Sequence, residues 1–121
     1  MLQLTDAEWS VMEALWQGGQ QTLGQVVQRL AAVRRWSRNT VHTYLTRMEG
    51  KGLVCILREE EPHRYQAAVS REDCAGAARS DLLQRVYGGA AGELIAAFLR
   101  ESSISPQERE RLRQLLDDME V

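Results

Sequence analysis

The 121-residue sequence has few cysteines and no long apolar run, and each shortage excludes a class of protein. Its two cysteines, Cys55 and Cys74, cannot staple a secreted scaffold, so we expect a reducing compartment and a cytoplasmic location. Apolar runs such as Leu53–Leu57 are far shorter than the roughly 20 residues that cross a bilayer, so no membrane insertion is expected. Residues 1–10 carry two acidic residues and no basic one, which is unlike a signal peptide.

Net charge is also scarce, but the basic residues are unevenly placed. With 15 Lys and Arg against 17 Asp and Glu, the formal net charge is −2. Residues 28–51 nevertheless hold six basic residues and a single acidic one, Glu49. Such an excess is typical of a phosphate-facing patch, although a solvated helix face would look the same. The six are Arg29, Arg34, Arg35, Arg38, Arg47 and Lys51.

Capping signals predict three short amphipathic helices in the first fifty residues. They begin after Thr5, Thr22 and Ser37, and the first two have Glu8 and Gln25 at the capping-box position. Glycines follow the first and third helices as natural stops. The apolar stripes are Trp9, Met12, Leu15 and Trp16, then Leu23, Val26, Val27 and Leu30, then Val41, Leu45 and Met48.

A change of period after Gly52 predicts a β-hairpin. Leu53–Leu57 is a short apolar run with β-branched residues, and residues 64–69 form a second, weaker one. The polar loop between them contains Pro62 and a run of three glutamates, Glu59–Glu61. Three helices followed by a hairpin predict a winged helix-turn-helix over residues 1–69.

Residues 70–121 are predicted to be helical and to form a dimerisation region. One helix begins at Ser70 and stops at two glycines, a short one follows, and the last begins at Ser105 and Pro106. About fifty residues with narrow apolar stripes bury too little surface to be secure alone. We therefore expect a homodimer with an interface above roughly 2,000 Å². The predicted contact residues are Leu82, Val86, Leu94, Ile95, Phe98, Leu112, Leu115 and Leu116.

The third helix carries the strongest functional signal. Opposite its apolar stripe lie short hydroxyl and amide side chains edged by cations, a surface suited to reading base edges in the major groove. Asn39 can pair with adenine, Thr43 offers a hydroxyl and a methyl, and Arg47 suits guanine or phosphate. The predicted DNA-binding residues are Arg38, Asn39, Thr40, His42, Thr43, Thr46, Arg47, Lys51 and Arg64.

Other functions find less support in the residues. A winged helix can also serve as a protein-interaction module, but the exposed face of the third helix lacks the aromatic or aliphatic anchors that an interface centre needs. The cysteines and histidines, at 42, 55, 63 and 74, lack metal-ligand spacing, and the cysteines suit small buried positions better. No acid, base and nucleophile form a catalytic pattern. We therefore predict no enzyme activity, no metal and no cofactor.

Short motifs along nearly the whole chain form a combined pattern. The first are Leu4-Thr5-Asp6-Ala7-Glu8-Trp9, Val11-Met12 and Leu15-Trp16, followed by Trp36-Ser37-x-Asn39-Thr40-Val41-x-Thr43-x-Leu45-x-Arg47-Met48. The pattern continues through Lys51-Gly52-Leu53, His63-x-Tyr65, Val69-Ser70-Arg71-Glu72 and Gly88-Gly89. On these motifs the chain resembles the penicillinase-repressor family, the BlaI/MecI/CopY group.

This resemblance implies a repressor that binds a palindromic operator with TACA/TGTA-type half-sites and dimerises through its C-terminal helices. It also implies that an upstream signal lifts repression, with a membrane sensor protease as a candidate partner. In β-lactam-responsive members the cut precedes a Phe that usually follows Asn. The matching dipeptide here is Ala97-Phe98, so the Phe fits and the preceding residue does not.

Two further departures from the family pattern bear on function. The copper-responsive members end in a cysteine-rich tail, whereas this chain has no cysteine after Cys74, so copper sensing by that route is not expected. The hairpin loop carries Glu59–Glu61 where relatives commonly have basic or small residues. The hairpin is the wing of a winged helix-turn-helix, and its acidity should weaken any contact between the wing and phosphate.

Overall fold

A computed structural model describes residues 2–119, so Met1 and the acidic end at Glu120 and Val121 lie outside the described residues. The chain divides into two compact units, one up to Ser80 and one from Asp81 onward. The boundary falls inside a helix. The assignment of separate domains to residues 1–69 and 70–121 therefore stays a prediction.

The first unit contains three helices, a three-stranded antiparallel sheet and most of a fourth helix. The sheet has the strand order β1-β3-β2. The elements are α1 (Asp6–Gly18), β1 (Gln21–Thr22), α2 (Leu23–Leu30), α3 (Arg38–Gly50), β2 (Val54–Leu57), β3 (Arg64–Ala67) and α4 (Arg71–Tyr87).

The predicted caps are present. Thr5 with Glu8 and Thr22 with Gln25 form reciprocal capping boxes, and the Ser37 hydroxyl accepts from the backbone N–H of Thr40. These short-range bonds satisfy amide groups that the first turn of a helix leaves without partners. They confirm the predicted starts of the first three helices.

The core of the first unit lies between α1, α2, α3 and the sheet. The stripe Val41, Leu45 and Met48 is 0% exposed, as predicted. Trp9 and Trp16, on the apolar stripe predicted for α1, are only half-buried, and their rings meet edge to face with centroids 5.9 Å apart. The Trp16 Nε1–H donates to the Val69 carbonyl at 2.9 Å, so the indole needs a position near polar backbone.

One strand was missed by the sequence analysis. Gln21 and Thr22 pair with Tyr65 and Arg64, which adds β1 to the predicted hairpin. A polar dipeptide has no alternating pattern, so periodicity could not reveal it. The strand is fixed instead by the buried Gln21 side chain, which donates to the Ala14 carbonyl at 2.9 Å and accepts from Arg29 Nε at 2.9 Å.

The second unit continues α4 and adds α5 (Ala91–Glu101) and α6 (Pro106–Asp118). Gly88 and Gly89 lie between α4 and α5 with φ of 57° and 90°, a backbone region that favours glycine. Ser105 and Glu108 form the predicted capping box of α6, with Pro106 in its first turn. The predicted helical character of this region is therefore confirmed.

Candidate nucleic-acid interface

Helix α3 packs against the core through one face and exposes the opposite face to solvent. Because Val41, Leu45 and Met48 are fully buried, the residues about half a turn away must face solvent. Of the predicted reading residues on α3, Thr40 is half-buried at the first turn. The exposed ones are Arg38, Asn39, His42, Thr43, Thr46 and Arg47.

Among the described residues, some side chains on the exposed face of α3 make hydrogen bonds within the protein, and others make none. The Thr43 hydroxyl donates to the Asn39 carbonyl at 2.9 Å, so its proton is engaged within the helix and its oxygen can still accept. The Thr40 hydroxyl lies 3.0 Å from the Ser37 hydroxyl at the helix start. Within residues 2–119 no hydrogen bond occupies the side chains of Asn39 or Thr46. These two are therefore available to a ligand.

A groove beside α3 brings both histidines of the sequence together. His42 on α3 and His63 before β3 line it, along with Arg38 and Pro62. Arg38 extends towards the start of α2, where its Nη1 would lie 3.5 Å from a Cβ added at Gly24. The groove thus connects the start of the third helix to the tip of the hairpin.

Arginine neutralises the single acidic residue of the basic stretch. Arg58, at the end of β2, donates twice to the Glu49 carboxylate, at 2.6 and 2.8 Å. The guanidinium lowers the pKa of Glu49, so this carboxylate is ionised and paired. The next three residues, Glu59–Glu61, are exposed at the hairpin tip. The wing is therefore acidic at its tip and charge-paired at its base.

Lys51 occupies a different position from the other predicted DNA-binding residues. Its ammonium lies 2.6 Å from the carboxylate of Glu8, a residue only 3% exposed. Burial opposes ionisation of Glu8, but hydrogen bonds from Lys51 and from the Thr5 N–H outweigh it and lower its pKa. Lys51 thus ties the end of α3 to α1, and a role for it in DNA contact stays a prediction.

A row of cations and rings on the flank of α3 was missed by the sequence analysis. The rings of Trp36 and Tyr44 stack with centroids 4.6 Å apart and an interplanar angle of 12°. Arg34 lies over Trp36 at 5.3 Å, and Arg47 lies over Tyr44 at 5.6 Å. The spacing of Tyr44 and Arg47, three apart on one helix, could have shown the last contact, whereas Trp36 precedes the helix.

Arg64, the remaining predicted DNA-binding residue, begins β3. It is half-buried and lies opposite both Leu57 of β2 and Thr22 of β1. The sheet therefore fixes its backbone at the root of the wing.

The second unit presents an apolar surface. None of the described residues of α5 and α6 is buried, and Phe98 is 55% exposed. Leu94 alone among the predicted dimer contacts is half-buried. The other predicted contacts, all exposed, are Leu82, Val86, Ile95, Phe98, Leu112, Leu115 and Leu116.

Neither a metal centre nor a membrane span is found in the described part of the chain. Across residues 2–119 no group of three or more His, Cys, Asp or Glu side chains is placed to hold a metal ion. None of the described helices is long and apolar enough to cross a membrane. Cys74 is buried and burial raises its pKa, which is typical of a structural thiol, while Cys55 is half-buried.

Three helices, a sheet with a wing and an exposed polar face on the third helix define a winged helix-turn-helix DNA-binding protein. The sequence model of the family described as "Penicillinase repressor" matches residues 4–118. The chain therefore belongs to the penicillinase-repressor family. It is a DNA-binding transcriptional repressor and not an enzyme.

Relatives match along most of the chain. The methicillin resistance regulatory protein MecI of Mammaliicoccus sciuri is 25% identical over 115 residues, which cover 95% of this chain and 94% of the relative. The penicillinase repressor of Bacillus licheniformis is 27% identical over 116 residues, covering 96% and 91%. A MarR family transcriptional regulator from Silicibacter pomeroyi aligns in structure with a TM-score of 0.45 and 13% identity, covering 92% of this chain and 65% of that one.

Proposed function

We propose that the chain represses transcription as a homodimer that binds a palindromic operator through α3. The observation that carries this proposal is the exposed row of short polar side chains on a helix whose opposite face is fully buried. Asn39, Thr43 and Thr46 face bases in the major groove, with Thr40 and His42 beside them. Arg38, Arg47 and Arg64 contact phosphate or a guanine. Lys51, at the end of the helix, is a further DNA contact in this proposal.

The exposed apolar residues of the second unit support dimerisation. Phe98, Leu115 and Leu116 are each more than half exposed in the single chain, at 55%, 54% and 57%. Full burial of such a side chain is worth about 1.5–3 kcal/mol, so a partner surface that covers the exposed half recovers roughly half of that for each residue. A second copy is the proposed partner. In a symmetric dimer on a palindrome, the two reading helices lie about one turn of DNA, roughly 34–36 Å, apart.

We further propose that proteolysis between Ala97 and Phe98 relieves repression. This bond lies in α5, whose N-cap residue, Ala90, makes no side-chain capping bond. Gly88 and Gly89 just upstream add backbone freedom, so the helix can fray to admit a protease. Cutting there separates the reading helix from α6 and so removes the avidity of the second half-site, about 10²-fold or more. A membrane sensor protease is the proposed partner.

Selection from a pool of random duplexes by the full-length chain tests operator binding. We expect an enriched palindrome, and enrichment without two-fold symmetry would contradict the dimer. Alanine at Asn39, Thr43 or Arg47 should then weaken binding to the selected duplex by about 1–3 kcal/mol for each bidentate base contact. Arg79→Ala is a matched control, because Arg79 is exposed on α4 and paired with Glu72. Wild-type affinity in all three variants would remove this face from the interface.

Two measurements test the proposed dimer and the proposed proteolytic relief of repression. Sedimentation of the full-length chain over a range of concentrations should show a dimer at micromolar concentration, and a monomer there would refute the proposal. Intact-mass analysis of induced cells should reveal a fragment that ends at Ala97. Derepression with the chain uncut would refute proteolysis, and a ligand or a redox change at Cys55 or Cys74 would have to be sought instead.

A further inference from the structure

We propose that Tyr44, stacked on Trp36, is a positioning residue that holds the guanidinium of Arg47 in place for DNA. The inference rests on the proposed function of α3. It concerns the row Arg34–Trp36–Tyr44–Arg47, in which each member contacts the next. Neither aromatic residue belongs to the set of side chains proposed to face bases.

The row is anchored at one end. Arg34 Nε donates to the Ser10 hydroxyl of α1 at 3.2 Å, and its guanidinium lies 5.3 Å from the centre of the Trp36 ring. Trp36 and Tyr44 are half-buried and pack against the hydrophobic core. The nearly parallel stack, with 12° between the ring planes, therefore fixes the orientation of Tyr44.

The row is open at the other end. Arg47 is exposed, and among residues 2–119 no carboxylate pairs with its guanidinium, which lies 5.6 Å from the centre of the Tyr44 ring. Other arginines of the first unit, such as Arg58 and Arg71, are paired with glutamates. The Tyr44 ring thus supplies a contact that orients Arg47 and leaves its N–H donors free.

Such an arrangement suits a side chain that must meet a phosphate or a guanine. A free arginine loses conformational freedom when it binds, and a guanidinium already held over a ring has lost part of it beforehand. The ring attracts the cation through its face and takes up no donor, so the fork of N–H groups stays available. Tyr44 acts through Arg47 and need not touch DNA.

A double-mutant cycle on the full-length chain tests the inference with the selected palindromic duplex. Tyr44→Leu should weaken binding in the wild-type background by about two- to fivefold for each protomer of the dimer, the factor expected of one exposed cation–π contact. In the Arg47→Ala background the same change should have no effect, because the residue through which Tyr44 acts is gone. Equal losses in both backgrounds would show a merely structural role and overturn the inference.

Two further readouts separate positioning from packing. If Arg47 meets a phosphate, Arg47→Ala should lower the slope of log affinity against log salt by about 0.9 for each protomer, roughly 1.8 for the dimer, whereas Tyr44→Leu should leave the slope unchanged. Tyr44→Phe keeps the ring and should bind like the wild type. A loss in Tyr44→Phe as large as in Tyr44→Leu would assign the effect to the hydroxyl and overturn the inference.

The free protein gives a test without DNA. The ¹⁵Nε relaxation of Arg47 should show a more mobile guanidinium in Tyr44→Leu than in the wild type or in Tyr44→Phe, while Arg58 stays unchanged as the control. Unchanged Arg47 mobility would overturn the inference even where the wild-type chain binds the duplex normally. A wild-type chain that enriches no duplex would instead refute the proposed function, and the DNA role of Tyr44 with it.

Discussion

Up to Ser80 the chain closes a core of its own, whereas from Asp81 onward helices α5 and α6 have no buried residue among those described. Leu45 and Met48 are 0% exposed, while Leu115 and Leu116 are 54% and 57% exposed. Both units have helices with an apolar stripe, and capping boxes begin α1 and α2 in the first unit and α6 in the second. The comparison teaches that an amphipathic pattern specifies a buried face without specifying whether the same chain or another copy covers it.

The largest expected effect comes from the closed core. Leu45→Ala should cost the first unit about 2–5 kcal/mol of stability, because a fully buried leucine leaves a cavity when truncated. The loss should be the same at any protein concentration. Leu116→Ala should instead lower the melting temperature by an amount that depends on concentration, since the proposed partner surface of Leu116 is a second copy. Thermal unfolding at two concentrations fifty-fold apart measures both, and a concentration-independent loss in Leu116→Ala would erase the comparison.

The next effect comes from placing a charge on the uncovered surface. Phe98→Glu should yield a monomer and weaken binding to the selected duplex about 10²-fold, because the second reading helix is no longer tethered. The fold of the first unit should be unaffected, as its unfolding transition would show. Gln114→Glu adds the same charge to α6, on the face opposite Leu112, Leu115 and Leu116. This control variant should leave the dimer intact. Sedimentation of both variants decides the matter, and a dimeric Phe98→Glu would place the interface elsewhere.

Features set by residues close together in the chain could be predicted from the sequence, whereas long-range contacts could not. Caps such as Thr5 with Glu8 and Ser105 with Glu108 join residues three apart, so their pattern is visible locally, and the structure has them. The pairing of Lys51 with Glu8 joins residues 43 apart, and the stack of Trp36 on Tyr44 joins the segment before α3 to the flank of that helix. Strand β1 owes its place to pairing with β3. These contacts exist only once the chain has folded, so no local spacing predicts them.

A smaller effect concerns the ion pair that holds α3 to α1. Lys51→Met should cost about 1–3 kcal/mol, because it leaves the nearly buried Glu8 carboxylate without its cation, while the half-exposed lysine limits the loss. Glu8→Gln with Lys51→Met should recover part of it. Denaturant unfolding at pH 7 measures each variant. A loss in the double variant that equals or exceeds that of Lys51→Met would show that the lysine stem, and not the charge, stabilises this contact.

The ion pair also gives a pH dependence of defined sign. The folded-state pKa of Glu8 is lowered, so its contribution is fully present above the ordinary carboxyl range near 4.5. It is lost as the pH falls from there through the lowered value. The wild type should therefore lose more stability than Glu8→Gln between pH 6 and pH 3. Identical losses over that range would show that Glu8 does not contribute to acid unfolding.

The smallest expected effect is electrostatic and sharpens the contrast between the units. Through Ser80 the sequence has ten Lys and Arg against nine Asp and Glu, and from Asp81 it has five against eight, so the first unit is barely positive. Three of its carboxylates, Glu59–Glu61, are exposed at the hairpin tip, next to the groove that His42 lines.

Changing all three to Gln should tighten binding to the selected duplex and to a scrambled duplex alike, by about two- to fivefold at low salt. The gain should fade when the ionic strength approaches 1 M, where the Debye length falls to about 3 Å. Since phosphate repulsion carries no base information, discrimination between the two duplexes should stay constant. Anisotropy titrations at several salt concentrations measure this, and the charge-matched control changes three exposed glutamates of the second unit, Glu101, Glu108 and Glu110, to Gln. An unchanged affinity at low salt would mean that the wing tip lies beyond screening distance of the DNA, and the reading helix would then account for the interface without it.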